Sequence, residues 1–455
     1  MKLFFATLFA KLAYIALRIL GRNASHFPGA VALKLCPDFL GRVAKCPMTI
    51  CVTGTNGKTT VTNMVADFLE QRGKKVGSNR LDSNITEGVA CTYVLSVGLF
   101  GRPKVDAMVL EVDERASRLI LPYIKPDYLV CTNLFRDSIM RNAHPDYIFE
   151  VLETYIPDGV FMVLNADDPL SSRLKSGNER MYFSVGRQPS DVEECINRVA
   201  DNTICPECQT TMKYDYLHYH HLGHYRCPAC GYTAPEAAYT ALDADVAEGT
   251  LVVEHEGEKK TYPLINDALY NIYNEIALIA LASKLGYDED TIISTLKNIG
   301  ITETRFRELR AGDIDVICCL SKGCNSVACS RNFDNVRMHP GKKAVYLALD
   351  DTSYMKNTVE YTGWIWDVDY EFLNDPDIKQ IVVTCPRCRD HRLRLLMAGV
   401  DPEKIFLAED ELEAADLIDP EGIDKVYLLY DNTLYDRSVK IADRIVRNLT
   451  ERGRK

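Results

Sequence analysis

Three groups of residues have types and spacings suited to chemistry. The first is Gly54-Thr55-Asn56-Gly57-Lys58-Thr59-Thr60, which follows an apolar run and opens a helical pattern. In that setting the loop N–H groups face phosphate oxygens and the helix N-terminus adds positive potential. Lys58 would reach the β- and γ-phosphates of a nucleotide, and the Thr59 hydroxyl would hold Mg²⁺. The general phosphate-loop pattern wants a glycine where Val52 stands, so this is the shorter form of the loop. The second group is Glu111-Val112-Asp113-Glu114, at the end of another apolar run. A carboxylate at the C-terminal edge of a parallel sheet sits where such sheets bind ligands, which makes Glu111 the expected second magnesium ligand. A solvated acidic strand end is the plainer reading.

The third group is Cys205-Pro-Glu-Cys208 and Cys227-Pro-Ala-Cys230, two knuckles separated by 18 residues. Two such pairs supply four thiolates in tetrahedral geometry, the pattern of a zinc ribbon, and four protein ligands leave no open position for catalysis. Gly231 suits the tight turn after the last cysteine. His218, His220, His221 and His224 lie between the knuckles and are expected to support the fold or to hydrogen-bond to sulfur. A third pair, Cys385-Pro-Arg-Cys388, stands alone; it reads as a strand–helix junction, with no metal assigned. Cys51, Cys91, Cys131, Cys318 and Cys319 sit singly in apolar runs. The sixteen cysteines therefore suit a reducing cytoplasm rather than a disulfide framework.

These groups need rigid elements to hold them. Met48–Thr53, Val105–Val112, Tyr128–Leu134 and Gly159–Asn165 read as buried strands, with Thr59–Gln71 a helix and helix-compatible sequence after each strand. That alternation predicts a parallel sheet with helices on both faces. Residues 200–235 interrupt it as an inserted module. Leu269–Leu285 reads as an amphipathic helix and Asp288–Ile299 as another. After Arg305 a second series begins, with strands Val316–Leu320, Ala344–Leu349, Gln380–Thr384 and Lys425–Tyr430 and helices Asp390–Ala398 and Arg437–Leu449. The expected fold class is α/β: a central domain with a parallel sheet and an inserted four-cysteine ribbon, then a Rossmann-like C-terminal domain. The expected boundaries are 1–45 for an N-terminal helical segment, 46–300 for the central domain with its insertion at about 200–235, and 305–455 for the C-terminal domain.

The chain has 455 residues, 47% of them hydrophobic and 26% charged, enough for separate cores in two or three domains. A net charge of −11 argues against broad nucleic-acid binding. Met1–Leu20 is apolar but interrupted by Lys11 and Arg18, which fall on one helical face, and no clear cleavage site follows. It reads as an amphipathic helix, docked on the protein or lying at a membrane surface, rather than as a spanning segment.

The sequence TGTNGKTT, followed by EVDE, TNLFRD (Thr132–Asp137) and LNADDP (Leu164–Pro169), resembles the Mur ligases. The four-cysteine insertion, LYNIYN (Leu269–Asn274), WIWDVDYE (Trp364–Glu371) and the N-terminal helix narrow the resemblance to the MurT family, over nearly the full length. The resemblance implies a Mur ligase central P-loop domain. It also implies a carbon–nitrogen ligase that uses ATP and Mg²⁺ to amidate the α-carboxyl of D-glutamate in the lipid II stem peptide, through an acyl phosphate. Ammonia would come from a GatD-like glutaminase forming a heterodimer with this chain, in peptidoglycan biosynthesis; the expected location is the cytoplasm, with the inner face of the plasma membrane as the alternative. The nucleotide set it implies is Gly54 to Thr60 with Asn271 and Arg305. Asn133, Arg136 and Asp137 match a central-domain loop. It also implies a carboxylate lent to the partner's Cys–His pair, assigned to Asp367 with Asp369 second; the only two tryptophans, Trp364 and Trp366, would suit an interface anchor or a half-buried strand. Arg387 and Asp390 match spacings of the same family.

Three segments depart from the family pattern: Leu320–Asn325, Asp350-Asp351 and Thr358–Tyr361. They bear on the acceptor more than on ATP chemistry. Two other functions fit the same residues. One is an ordinary Mur-type ligase that adds an amino acid. The other is a non-catalytic nucleotide-binding scaffold.

Overall fold

The computed structural model describes every residue except 81–82, 137–143, 301–305, 322–324, 350–361, 432–433 and 453–455. The chain divides into two units. The first comprises residues 1–135, 144–195 and 201–300; the second comprises 136–143, 196–200 and 301–455.

The first unit is built on β1 (Thr49–Thr53), β2 (Val76–Ser78), β3 (Ala107–Glu111), β4 (Tyr128–Cys131), β5 (Phe161–Asn165) and β6 (Arg180–Val185). A hairpin of β7 (Lys213–Tyr219) and β8 (Leu222–Arg226) follows, then β9 (Tyr239–Asp245), β10 (Thr250–His255) and β11 (Glu258–Pro263). The large sheet has the order β11-β10-β9-β6-β5-β4-β1-β3-β2. It is parallel from β2 to β9 and antiparallel from β9 to β11. Every residue of β1 and β3 is buried, which explains their unbroken apolar runs: helices cover both faces. The antiparallel extension was not anticipated from the sequence. Its strands alternate buried with half-buried or exposed residues, a weaker signal than the core strands give.

The helix Leu269–Lys284 differs from expectation in one respect. It is buried on every side from Asn271 to Ala282 rather than amphipathic. It is held between β5, β6 and β9 on one side and the helices Lys58–Gln71 and Glu289–Leu296 on the other, so polar Asn271, Asn274 and Glu275 are enclosed with the apolar residues.

The second unit has β12 (Phe306–Ala311), β13 (Ile314–Leu320), β14 (Lys343–Ala348), β15 (Ile378–Val383), β16 (Ile405–Leu407) and β17 (Lys425–Tyr430) in the order β12-β13-β17-β14-β15-β16. All pairs are parallel except β12 with β13. Two apolar cores fill its two faces, one around Phe333, Trp364 and Tyr370 and the other around Tyr346, Ile441 and Ile445. The two tryptophans lie on a short helix, Gly363–Asp367, and not on a strand; Trp364 is buried and Trp366 is 37% exposed. Cys385-Pro-Arg-Cys388 spans the junction between β15 and the helix Cys388–Met397, as its isolation predicts.

Candidate functional site: a phosphate loop, a buried carboxylate pair and a thiolate cluster

Strand β1 ends in the loop, and the helix Lys58–Gln71 begins at Lys58. Gly57 adopts φ +89°, and a Cβ there would lie 2.2 Å from Asn274 Oδ1. Only glycine meets both demands without strain. Lys58 Nζ donates to the Gly54 and Thr55 carbonyls, and lies 3.1 Å from each carboxylate oxygen of Glu114. The Lys58 and Glu114 side chains are only 12% and 6% exposed, so this ion pair is shielded from solvent screening.

The register of β1 with β3 sets Val52 beside Glu111, so the carboxylate stands next to the start of the loop. Glu111 is 2% exposed. Its Oε1 accepts from Asn84 Nδ2 at 2.8 Å, while Oε2 is buried without a hydrogen-bond partner. Asn79 fixes the backbone here, bonding both the N–H and the carbonyl of Glu111 at 2.8 Å. A buried carboxylate oxygen left open next to the start of the phosphate loop suits a divalent cation, because an unpaired buried anion is costly.

The loop is held by Thr132–Phe135. Thr55 N–H donates to the Asn133 carbonyl at 2.8 Å and Asn56 N–H to Asn133 Oδ1 at 3.0 Å. Thr132 Oγ1 donates to the Asn56 carbonyl at 2.6 Å, and Phe135 N–H to Thr55 Oγ1 at 2.9 Å. Asn133 therefore braces the loop. Behind it, Asn165 Nδ2 bonds the Thr132 carbonyl and Asp168 Oδ2 accepts from Leu134 N–H at 2.6 Å. Asp167 accepts from Val185 N–H and from the Tyr273 hydroxyl at 2.7 Å; burial raises its carboxyl above the ordinary range, partly offset by His218 and these bonds. Sequence reasoning used LNADDP as a family signature and missed these bracing roles, for which the polar-after-apolar pattern of Asn165–Asp168 was the available signal.

Asn271 and Asn274 lie in the first turns of Leu269–Lys284. Asn274 approaches Gly57, and Asn271 bonds Asn266 and Asn274. Arg305 and Asp137 lie outside the described residues, as do residues 322–324, Asp350-Asp351 and Thr358–Tyr361.

In the inserted module the four sulfurs of Cys205, Cys208, Cys227 and Cys230 lie within 4.8 Å of one another. Cys205 Sγ is 3.6 Å from Cys230 Sγ, and Cys208 Sγ is 3.4 Å from Cys227 Sγ. Four thiolates around one zinc at about 2.3 Å stand roughly 3.8 Å apart, so the cluster fits that ion. Cys205 and Cys227 are buried with Met212, Tyr225 and Ala234, while Cys208 and Cys230 face outward. No disulfide joins the cysteines among the described residues. The histidines take carboxylate partners where sulfur was one expectation. His218 bonds Asp191 and the Val185 carbonyl, His224 bonds Asp215, and His221 lies 3.4 Å from Asp168. His218 thus faces β6, His221 the Asp167-Asp168 turn and His224 the hairpin's own Asp215, so these three serve the fold.

In the second unit Asp367 Oδ2 lies 3.3 Å from Arg136 Nη1, with its side chain 24% exposed. Asp369 is 1% exposed and accepts from Asn197 Nδ2 at 2.8 Å and Arg198 N–H at 2.6 Å. Asp369 is thus committed to holding the Asn197–Arg198 segment, and Asp367 is the aspartate nearer the surface. Arg387 is buried and pairs with Asp390 at 3.6 Å.

Residues 52–197 match the Mur ligase middle domain, and residues 321–434 match the MurT ligase C-terminal domain. The chain is 29% identical over 395 residues to the subunit MurT of the lipid II isoglutaminyl synthase (glutamine-hydrolyzing) of Staphylococcus aureus (strain COL), covering 86% of this chain and 87% of that one. The corresponding subunit of Streptococcus pneumoniae (strain ATCC BAA-255 / R6) is 28% identical over 446 residues, 96% of each chain. Among solved structures, a pseudomurein peptide ligase type C from Methanothermus fervidus is similar with a TM-score of 0.64 and 19% identity, over 89% of this chain and 79% of that one. The MurF ligase from Thermotoga maritima, solved in complex with ADP, gives 0.61 and 16%, over 93% and 85%. A phosphate loop on a parallel sheet, braced in this way and matched along its length, makes the chain a member of the Mur ligase superfamily. Within that superfamily it belongs to the MurT family, as a Mur-type ligase subunit.

Proposed function

We propose that this chain is the synthetase subunit of a glutamine-dependent amidating complex acting on lipid II or a related muropeptide in peptidoglycan biosynthesis. The reaction transfers the γ-phosphoryl group of ATP to the α-carboxylate of D-glutamate, releasing ADP. Ammonia from a GatD-like glutaminase then attacks the acyl carbon, phosphate leaves, and D-isoglutamine is formed. The observation that carries this reading is the phosphate loop with its shielded Lys58–Glu114 ion pair, set beside a parallel strand end where Glu111 keeps one buried carboxylate oxygen without a hydrogen-bond partner.

The proposed nucleotide set is Gly54 to Thr60 with Asn271 and Arg305. Lys58 balances charge on the transferring phosphoryl group. Thr59 and Glu111 would hold Mg²⁺, which when bound neutralises the phosphate oxygens. Cys205, Cys208, Cys227 and Cys230 would hold a structural Zn²⁺. Asp367 is the proposed carboxylate behind the partner's histidine. The proposed functional domains are 1–45, 46–300 and 305–455, and the proposed location is the cytoplasm, where the inner face of the plasma membrane would present the substrate.

The test is lipid II amidation by the chain with and without a co-expressed glutaminase, using Lys58→Ala as control. Glutamine-dependent amide formation that is lost in the variant supports the proposal. ADP release only with an added amino acid points to an amino-acid-adding ligase. Nucleotide binding with no turnover under any condition points to a scaffold.

A further inference from the structure

The helix Lys2–Ile19 has two apolar faces, and the protein covers one of them. Ala6, Thr7 and Ala10 are fully buried against the helices Phe27–Leu35 and Thr86–Ser96, where small side chains permit close approach. Phe5, Phe9, Leu12, Ile15 and Ile19 lie on the other side, between 48% and 80% exposed. Phe100, 76% exposed, extends this surface; its ring is 5.3 Å from that of Phe4. A soluble domain seldom shows so continuous an apolar stripe without a use for it.

The charges around the stripe say what covers it. Residues 1–37 contain Lys2, Lys11, Arg18, Arg22 and Lys34 and no aspartate or glutamate, in a chain whose net charge is −11. Arg102 and Lys104 add to this set from the segment after Phe100. Lys11 is held below its ordinary value, first by partial burial and then by the like charge of Lys104. No described helix is long and apolar enough to cross a membrane.

We propose that this face is a docking surface for an anionic lipid bilayer: the helix lies in the interface with Phe5, Phe9, Leu12, Ile15, Ile19 and Phe100 among the acyl chains and its basic residues at the headgroups. An apolar stripe on a helix whose own charged residues are all cations, Lys2, Lys11 and Arg18, fits an acidic lipid surface, since buried area and charge attraction add. The proposal does not rest on the amidation reaction.

The experiment is co-sedimentation of the purified full chain, without substrates, with phosphatidylcholine vesicles containing or lacking phosphatidylglycerol. The parent partitions onto the phosphatidylglycerol vesicles and is released by high salt. Replacing Phe9, Leu12 and Phe100 together by Gln weakens that partitioning roughly tenfold or more. Arg18→Gln with Arg22→Gln weakens it roughly tenfold and flattens the salt response. All of these sites are exposed, and circular dichroism and nucleotide binding matching the parent confirm that the fold is kept. Equal recovery in the supernatant with and without vesicles, or undiminished vesicle binding by the apolar variant, overturns the proposal. A parent that sediments as a dimer while the apolar variant is a monomer overturns it in favour of a second copy of the chain.

Discussion

Glu275 is fully buried in the helix that also carries Asn271 and Asn274. Its Oε2 accepts from Ile265 N–H at 3.0 Å, and its Oε1 is buried without a partner. Burial lifts the carboxyl from 4.5 to about 8, with the Ile265 bond pulling weakly the other way. Between those values the unfolded chain has released a proton that the folded chain still holds. Stability therefore falls as pH rises through this window: the burial penalty is absent below about 4.5 and nearly complete at about 8. Integrating the linkage relation gives a cost of about 1 kcal/mol at pH 5, about 2 at pH 6 and about 4 at pH 8.

Glu275→Gln keeps the shape and the acceptor for Ile265 but cannot ionise, so it is relieved of this cost. For a unit of roughly 300 residues the variant should melt about 1 °C above the parent at pH 5 and roughly 6 °C above it at pH 8. The measurement is thermal unfolding of both proteins, followed by circular dichroism, across that range. A gap that stays constant with pH, or that narrows as pH rises, would refute the reasoning, because either result means that burial does not raise the Glu275 carboxyl in the fold.

Four other outcomes follow from contacts in the same units. Gly57→Ala should cost about 2–3 kcal/mol, since it adds left-handed strain to the collision with Asn274; adding Asn274→Ala should restore only the steric share, read by urea unfolding. Glu114→Gln should tighten binding of a non-hydrolysable ATP analogue roughly fivefold by calorimetry, because the phosphates no longer compete with an ion pair on Lys58; weaker binding would mean that Glu114 instead orients Lys58. Elemental analysis should find about one zinc per chain. Cys205→Ser at the buried knuckle should abolish it and expose the Cys205–Ala234 cluster to proteolysis. Asp369→Asn should lower the stability of the second unit by roughly 1–3 kcal/mol, as it weakens two buried bonds. Asp367→Asn should leave stability nearly unchanged and reduce only the partner's glutamine hydrolysis, so equal effects of the two would remove Asp367 from the proposed role.

What could be read in advance was what is local in sequence. The loop Gly54–Thr60 and the cysteine pairs declare themselves because the chemistry needs neighbouring residues at fixed spacings, and the core strands because burial on both faces leaves continuous apolar runs. What escaped was nonlocal. Asp168 braces Leu134 across 34 positions and Tyr273 reaches Asp167 across 106, and no short pattern encodes either contact. The helix Leu269–Lys284 was recognised as a helix, but its enclosure depends on elements far apart in sequence. Trp364 and Trp366 were ambiguous because an anchor and a core residue share one side-chain chemistry; the fold uses Trp364 as core and leaves Trp366 partly exposed.

The bracing contacts also bear on how the loop binds phosphate. Asn56 N–H is already bonded to Asn133, and Lys58 is shared among two carbonyls and Glu114. On the proposed reading, nucleotide binding at this loop would be an exchange, in which phosphate oxygens replace protein acceptors, and its net gain would be the difference between two charge-assisted sets. The Lys58–Glu114 pair is the component with the greatest leverage, because it is shielded and because Glu114 sits three residues beyond Glu111 on the same strand exit. A cation at Glu111 and the phosphates it accompanies would act on both carboxylates at once, Glu111 gaining a partner as Glu114 gives one up. On the proposed reading the loop would release Lys58 when metal and nucleotide arrive together, so magnesium would act on affinity as well as on turnover.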